Sequence, residues 1–438
     1  MPLRFAAPAA QAYAYPLLIR HLLHAPLGTA REQEIVYRDR YRGSYADLEQ
    51  RIGRLAGALA ALGVEEGCTV AVMDWDSHRY LECFFAIPMM GAVLQTVNVR
   101  LSPEQIAWTL AHAGAEVLLI HRDFLPLLGA IRERARGLRA VVLIDDEAID
   151  AEQPGIAGEY EALLARQDAP YDFRDFDENA IATTFYTTGT TGEPKGVCFS
   201  HRQLVLHTLA VMAASASPAH GQSFRRGDVY MPLTPMFHVH AWGNPFVATA
   251  LGVKQVYPGR YVPEEILALR RREGVSFSHC VPTILRMLLG VAGTDPEALR
   301  GWKMCIGGSA LSTGLAAEAL ARGMDVYAGY GMSETGPVLA ISQLEMPAGT
   351  LPLEQELAAR CRTGKPIPLV DIRIVDENGE RLPHDDRASG ESSCGPRGPR
   401  PATRITPPRR TRSGAAAICT RRTSRASTRR AVCRSAIA

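Results

Sequence analysis

The sequence lacks any run of about 18 apolar residues, the minimum for a membrane-spanning helix. Its N-terminus has only short apolar stretches and no small-residue cleavage site, so no signal peptide is predicted. The nine cysteines are scattered and form no Cys-x-x-Cys pair, which disfavours a disulfide framework or a zinc knuckle. These absences predict reduced thiols, no transmembrane segment and a cytoplasmic location.

Acidic residues and lysine are missing from the C-terminal part of the chain. From Ser392 to Ala438 there are twelve Arg, no Lys, Asp or Glu, and no Phe, Trp or Tyr. Because the net charge of all 438 residues is +2, residues 1–391 carry a net charge of −10. A segment without aromatic residues is poorly suited to build a core. We therefore predict a folded body at residues 1–391 and an Arg-rich tail at residues 392–438.

The body alternates between helical and extended patterns. Ser44 and Asp47 form a capping-box pattern before an apolar stripe with spacings of three and four residues. A short strand is predicted at Thr69–Met73, and the same order recurs from Ser102 onward, where Pro103 occupies the first helical position. This alternation predicts an α/β fold with layered, largely parallel sheets.

The pattern changes after about Leu339. Residues 364–380 alternate polar and apolar side chains and end at Asn378-Gly379, which is typical of a β-hairpin turn. Residues 341–391 are therefore predicted to form part of a β-rich subdomain.

The strongest local motif runs from Phe185 to Val197 and reads FYTTGTTGEPKGV. Glycines allow backbone N–H groups to approach an anion, threonine hydroxyls add donors, and Lys195 adds positive charge. The spacing differs from the common P-loop, in which Lys follows Gly directly and precedes Ser or Thr. The motif predicts a polyphosphate site; the alternative is an ordinary Gly/Thr-rich turn.

This run resembles the phosphate-loop signature of the acyl-adenylate-forming enzymes, and further segments match that superfamily in the same order. They are Pro235–His240, Val281–Thr283, Gly307–Ala310 and Tyr327–Thr335. Residues 74–80, 88–93 and 98–106 look most like bacterial medium-chain fatty-acid–CoA ligases. The resemblance spans roughly residues 10–391. It implies the large N-terminal domain of acyl-CoA synthetases, with two α/β subdomains and an incomplete β-barrel subdomain, while the small C-terminal domain is missing.

The resemblance also implies a reaction and its participants. ATP would activate a medium-chain, or alternatively a long-chain, fatty acid to acyl-AMP, and coenzyme A would then release AMP and form acyl-CoA. The implied cofactors are ATP, Mg²⁺ and coenzyme A as co-substrate, without specific nucleic acid. A homodimer is compatible with the family.

Site residues are carried over position by position. The phosphates of ATP are assigned to Thr187, Thr188, Gly189, Thr190, Thr191, Gly192 and Lys195. The adenine and AMP contacts are assigned to Gly307, Gly308, Ser309, Tyr330, Gly331 and Thr335. The acyl substrate is assigned to His238, Trp242, Gly307, Gly331 and Met332. Glu334 is assigned to Mg²⁺, and the catalytic set is Lys195, His238, Glu334 and Thr335.

Some of these residues have simpler interpretations. His238 could be a hydrogen-bonded core histidine, and Glu334 could be an ordinary surface carboxylate. Trp242 and Phe246 could line an acyl tunnel or belong to the core. The whole chain could instead be another adenylate-former, acting on an aryl acid or as a free-standing adenylation domain. A non-catalytic nucleotide- or acyl-binding protein, with its basic tail on nucleic acid, is a third alternative.

The tail has two interpretations. An Arg-rich segment could bind RNA or a membrane surface. However, plausible codons for residues 418–425, shifted out of frame, encode Leu-His-Thr-Ala-Asp-Val-Ala, which resembles the family's Leu-His-Thr-Gly-Asp. We therefore interpret the tail as an out-of-frame translation beginning near Glu391, and expect this chain to have little or no ligase turnover.

Overall fold

The computed structural model describes residues 4, 6–7, 9–147, 154–187, 194–218, 220–293, 295, 297–376, 378 and 380–383. It also describes the backbone of residues 391–394 and 403–404. The predicted phosphate-loop residues 188–192 and most of the predicted tail lie outside these residues.

Strands make up two large sheets and a two-stranded ladder. In chain order they are β1 (Glu34–Tyr37), β2 (Tyr41–Ser44), β3 (Thr69–Met73), β4 (Val93–Thr96), β5 (Ala115–His121), β6 (Ala140–Ile144), β7 (Gly158–Glu159), β8 (Ile181–Thr187), β9 (Lys195–Ser200), β10 (Val229–Leu233), β11 (Lys254–Tyr257), β12 (Phe277–Cys280), β13 (Lys303–Ile306), β14 (Asp325–Gly331), β15 (Val338–Ile341), β16 (Lys365–Pro366), β17 (Ile372–Val375), β18 (Glu391–Cys394) and β19 (Thr403–Arg404).

Helices connect most of these strands. In chain order they are α1 (His24–Thr29), α2 (Tyr45–Ala61), α3 (His78–Met89), α4 (Pro103–Ala113), α5 (Leu128–Arg134), α6 (Tyr160–Ala165), α7 (His201–Ala216), α8 (Asn244–Leu251), α9 (Pro263–Glu273), α10 (Pro282–Ala292), α11 (Thr313–Ala321) and α12 (Leu353–Cys361). Short 3-10 turns occupy Ile19–Leu23, Arg122–Leu127 and Ser333–Thr335.

Sheet 1 has eight strands in the order β19-β9-β8-β4-β3-β5-β6-β7. Its strands from β8 to β7 pair in parallel, and β9 pairs antiparallel to β8. Sheet 2 has nine strands in the order β16-β15-β14-β13-β12-β10-β11-β1-β2, with antiparallel pairs at both ends. The predicted α/β class is therefore confirmed, with mixed rather than purely parallel sheets.

Local sequence signals explain several element boundaries. The backbone N–H of Asp47 donates to Ser44 Oγ, and the Asp47 carboxylate accepts a hydrogen bond from the Ser44 N–H, so α2 starts where the capping box predicts. Ser102 and Gln105 do the same for α4, and Gly114 ends that helix in the left-handed conformation. Every residue of α3 is buried, which places this helix inside the main hydrophobic core.

The region after β15 combines strand and helix. Helix α12 lies within the segment predicted to be β-rich, and β16 joins sheet 2. The predicted hairpin is present, because the Asp376 N–H donates to the Glu380 carbonyl and the Leu382 N–H donates to the Ile374 carbonyl. Strand β17 then pairs with β18, which extends three residues past Glu391. Along the described residues, no helix combines the length and apolarity needed to cross a bilayer.

Candidate active site

The ends of strands β8 and β9 carry two of the predicted phosphate ligands. Thr187 is the last residue of β8, Lys195 is the first of β9, and the two are direct partners in the antiparallel ladder. Thr187 is half-buried and the Lys195 side chain is exposed. Within the described residues, Lys195 forms no ion pair. Both ends of the predicted loop therefore meet at one edge of sheet 1, while Thr188, Gly189, Thr190, Thr191 and Gly192 lie outside the described residues.

The second motif forms a tight turn between β14 and β15 in sheet 2. Thr335 is buried, and its hydroxyl donates to the Met332 carbonyl at 3.0 Å and accepts from the Met332 N–H at 3.2 Å. The Glu334 side chain is exposed, and no described residue forms an ion pair with it. Tyr330 is half-buried at the end of β14. The turn is thus closed by Thr335 and presents the Glu334 carboxylate to solvent.

Gly331 occupies the most crowded position of this turn. A Cβ atom added there would lie 1.7 Å from the Pro337 carbonyl oxygen and 3.1 Å from the Val338 Cα atom. The same Pro337 oxygen accepts a hydrogen bond from the Met332 N–H at 3.0 Å. Close approach of two backbone segments therefore requires glycine here.

Gly307 and Gly308 lie against the indole ring of Trp242. A Cβ atom at Gly307 would be 2.9 Å from Trp242 Cη2 and 3.1 Å from the Gly329 carbonyl oxygen, and one at Gly308 would be 3.9 Å from Trp242 Cζ2. The Gly307 N–H donates to the Cys280 carbonyl at 3.0 Å, and Ser309 is exposed. The structure therefore brings three predicted pocket residues together at the carboxyl ends of β13 and β14.

Trp242 reaches this position through a left-handed turn. The φ angles of Val239, His240, Ala241 and Trp242 lie between 48° and 58°, and Gly243 follows at 74°. The left-handed conformation costs roughly 1–2 kcal/mol for each residue that carries a Cβ atom. Consecutive strained residues persist only where surrounding contacts hold them. No sequence pattern predicted this turn.

His238 and His240 have different environments. His238 precedes the turn and its side chain is exposed. Partial desolvation by the surrounding protein lowers its pKa, and the Arg100 charge lowers that pKa further. His240 is buried among the rings of Phe84, Phe185 and Phe199, and burial lowers its pKa to about 3. His240 is therefore a core histidine, whereas His238, for which a core role was the alternative, is accessible to a ligand.

Phe246 belongs to the core. It is fully buried, and its ring centroid lies 5.4 Å from that of Phe84 and 5.5 Å from that of Phe85. Of the two aromatic residues with open roles, only Trp242 contacts the glycine segment.

A polar cavity of about 360 Å³ lies apart from these residues, at the carboxyl ends of β5 and β6. None of the predicted site residues lines it. Charged groups in its wall pair with one another, as Arg38 does with Glu265 and Arg122 with Asp145. The cavity is therefore separate from the candidate site.

Comparison with protein families identifies the chain. The family model described as AMP-binding enzyme matches residues 25–392. The chain belongs to the AMP-binding enzyme family. Residues 25–392, which include both signature segments, therefore form an AMP-binding family domain.

Within the AMP-binding family, the chain is similar to two fatty-acid–CoA ligases. The chain is 41% identical over 355 residues to a long-chain-fatty-acid–CoA ligase of Thermus thermophilus, covering 80% of this chain and 63% of the relative. It is 34% identical over 354 residues to a medium-chain-fatty-acid–CoA ligase of Ectopseudomonas oleovorans, covering 80% of this chain and 64% of the relative. The chain thus spans less than two thirds of the length of either protein.

A solved structure matches the fold of this family member. The N-terminal domain of FACL13 from Mycobacterium tuberculosis aligns with a TM-score of 0.70 at 20% identity, covering 86% of this chain and 88% of that domain. The predicted large-domain architecture is therefore confirmed at the level of fold.

One contact near the site had only a weak signal in the sequence. His207 is fully enclosed in α7, its Nε2 accepts a hydrogen bond from the Val338 N–H at 3.2 Å, and its ring lies under Gly243. It links α7 to the strand after the second motif and to the left-handed turn. The only sign of this role in the sequence was a histidine whose helical neighbours Leu204, Ala210 and Val211 are apolar.

Proposed function

We propose that the chain is the adenylate-forming part of a fatty-acid–CoA ligase that acts on medium-chain or long-chain acids. The carboxylate of the acid attacks the α-phosphate of ATP and releases pyrophosphate, and coenzyme A then displaces AMP from the acyl-adenylate. The observation that carries this proposal is the contact of Trp242 with Gly307 and Gly308. This contact lies beside the turn that contains residues 330–335. Trp242 forms an apolar wall next to a turn whose residues are assigned to AMP. This arrangement suits a molecule with an acyl half and a nucleotide half.

The first step brings an anion towards a polyanion, so its main requirement is positioning and neutralisation of charge. Lys195 is exposed at the start of β9 and would contribute its ammonium group to the β- and γ-phosphates. Thr335 would exchange its bond to the Met332 carbonyl for one to the α-phosphate. Tyr330 would stack on the adenine, and His238 and Met332 would border the acyl group.

The carboxylate of Glu334 is a suitable ligand for Mg²⁺. Mg²⁺ binds hard oxygen ligands, keeps several waters, and in nucleotide sites uses one or two carboxylates with the phosphates. Glu334 is an exposed carboxylate, and no metal-binding group of three or more His, Cys, Asp or Glu occurs among the described residues. Glu334 would therefore hold Mg²⁺ as part of Mg–ATP, and the bound ion would neutralise phosphate charge.

The domain division accompanies this proposal. Residues 1–391 would form the AMP-binding large domain, with residues from about 341 as part of its β-rich subdomain, and residues 392–438 would be a separate tail. Strand pairing continues past Glu391, because β18 pairs with β17 as far as Cys394 and β19 at Thr403–Arg404 pairs with β9.

Replacing Lys195 should weaken ATP binding. In the Lys195→Ala variant we expect roughly tenfold lower affinity for Mg–ATP, because a charge-assisted phosphate contact is lost. Isothermal titration of the full chain with ATP measures this directly. Isothermal titration of the ATP-loaded chain with octanoate, decanoate, palmitate and benzoate then identifies the acid that binds.

Lys365 provides the matched control. It is an exposed lysine in β16 that pairs with Glu345, so Lys365→Ala should bind ATP as the unmodified chain does. Equal ATP affinity in the Lys195→Ala variant and the unmodified chain would contradict the assignment of Lys195. Binding of benzoate without binding of the three fatty acids would replace the fatty-acid proposal by the aryl-acid alternative.

A further inference from the structure

Asp76 is a buried carboxylate to which the proposed reaction gives no role. It lies three residues after the end of β3 and is 2% exposed. One carboxylate oxygen, Oδ1, accepts a hydrogen bond from the Met236 N–H at 2.8 Å. The other, Oδ2, accepts from the Tyr261 hydroxyl at 2.6 Å. Asp76 therefore connects sheet 1 with two segments that follow strands of sheet 2.

The Met236 contact leads directly to the candidate acyl site. Met236 is two residues before His238, and the left-handed turn that ends at Trp242 begins at Val239. The adjacent residue is anchored as well, because the Thr96 hydroxyl at the end of β4 donates to the Phe237 carbonyl at 3.0 Å. Two neighbouring strands of sheet 1 thus hold the base of the turn, while its tip lies against Gly307 in sheet 2.

The backbone around Asp76 strengthens this junction. Its own carbonyl accepts a hydrogen bond from the Gly259 N–H at 2.9 Å, so the Tyr261 segment is attached at two points. A strained turn needs such fixed contacts, because its residues would otherwise relax to right-handed or extended backbone.

We infer that Asp76 is a positioning residue, whose carboxylate fixes the base of the left-handed turn so that His238 and Trp242 face the acyl group. The part concerning the acyl group rests on the proposed function. The part concerning the turn does not.

The hydrogen bonds of Asp76 depend on whether its carboxyl group is ionised. Burial raises the pKa of Asp76 to about 7, and the negative charge of Asp74 adds to this rise. The hydrogen bonds from Tyr261 and Met236 and the positive charge of Arg100 act in the opposite direction. The other groups that face Asp76 are the phenols of Tyr80, Tyr230 and Tyr257. Below pH 7 the carboxyl gains a proton, and an oxygen that accepted a hydrogen bond becomes a donor. The anchor should therefore weaken as the pH falls through 7.

Asp76→Asn in the full chain separates the acceptor from its charge. Hydrogen–deuterium exchange of the peptide containing residues 236–243 measures the turn without any ligand. At pH 8 we expect exchange roughly tenfold faster than in the unmodified chain, because a hydrogen bond to a charged acceptor is lost. After correction for intrinsic rates, the variant should show no pH dependence between pH 6 and 8, whereas the unmodified chain should approach the variant at pH 6.

Binding of decanoyl-sulfamoyl-adenosine, a stable acyl-adenylate analogue, tests the acyl part. Affinity should fall roughly tenfold at pH 8 in Asp76→Asn, and AMP affinity should stay unchanged, since the turn faces the acyl half of the analogue. Asp74→Asn is the control, because Asp74 is an equally buried acid whose hydrogen bonds within the described part of the chain come from the Ser77 hydroxyl and the Trp75 N–H. If Asp76→Asn does not fold, Tyr261→Phe removes one of the two side-chain contacts and should give a smaller change of the same sign.

The outcomes are distinguishable. Unchanged exchange of residues 236–243 in Asp76→Asn would overturn the inference, and so would equal effects of Asp74→Asn. Faster exchange with unaltered analogue affinity would also overturn it, because the turn would then not position the acyl group. If the unmodified chain bound neither AMP nor the analogue, the proposed function would fail, and exchange would still decide whether Asp76 holds the turn.

Discussion

Gly331→Ala should lower the free energy of unfolding by about 3 kcal/mol and remove measurable ATP binding, because the added methyl group overlaps backbone atoms. The Cβ atom would lie 1.7 Å from the Pro337 oxygen, which is also the acceptor for the Met332 N–H. No side chain can rotate away to make room. The pairing of β14 with β15 must therefore open, which displaces Tyr330 and Thr335 on either side of the substitution.

Gly314→Ala is the control for this experiment. Gly314 lies in the first turn of α11, and an added Cβ atom would meet nothing within 4 Å. Alanine should stabilise the chain there by up to about 1 kcal/mol, as in other helix positions. Urea unfolding gives both free energies, and titration gives ATP affinity. Near-normal ATP binding by Gly331→Ala would show that the turn tolerates the displacement and does not shape the nucleotide site.

Arg360→Met should destabilise the chain by about 3–5 kcal/mol, because it removes one partner from a buried ionic network. Its guanidinium donates to Asp325 at 2.6 Å, to the Val326 carbonyl at 2.9 Å and to Glu356 at 2.9 Å, and its side chain is 2% exposed. The substitution leaves two carboxylates without their cation. Since Asp325 begins β14, the loss should also loosen the strand that carries Tyr330.

An exposed pair is the matched comparison. Arg271 contacts Asp295 at 3.3 Å and its side chain is 60% exposed, so Arg271→Met should change stability by less than about 0.5 kcal/mol. Adding Glu356→Gln to Arg360→Met should recover part of the loss by removing one unpaired charge. Wild-type stability of the single Arg360→Met variant in urea would show that the network contributes nothing to folding.

The sequence predicted those parts of the fold that depend on neighbouring residues. The capping box at Ser44 and the proline at Pro103 marked helix starts, and the Asn378-Gly379 pair marked a hairpin. Strand order was not predictable, because it depends on which helices cross which face of each sheet. Helix α12 was hidden in a segment whose downstream alternation suggested strands throughout.

The candidate site was predictable mainly because the sequence motifs resemble those of the acyl-adenylate-forming enzymes. Gly307 and Trp242 are 65 positions apart in the sequence, and nothing in their spacing predicts that they touch. The left-handed turn was less predictable still, because Val239 is β-branched and disfavours that backbone conformation. Tertiary anchors impose it, and a single sequence does not display those anchors.

The position of β1 in sheet 2 has a consequence for synthesis of the chain. Ile35 pairs with Gln255, so the partner of β1 is translated 220 residues later. At about 5–20 residues per second, β1 and β2 wait roughly 10–40 s before that partner exists. During this interval a hairpin with two apolar residues, Ile35 and Val36, has an unpaired edge that other chains could extend. The order of strands in the finished sheet therefore leaves the nascent N-terminus with an open strand edge that a chaperone would protect.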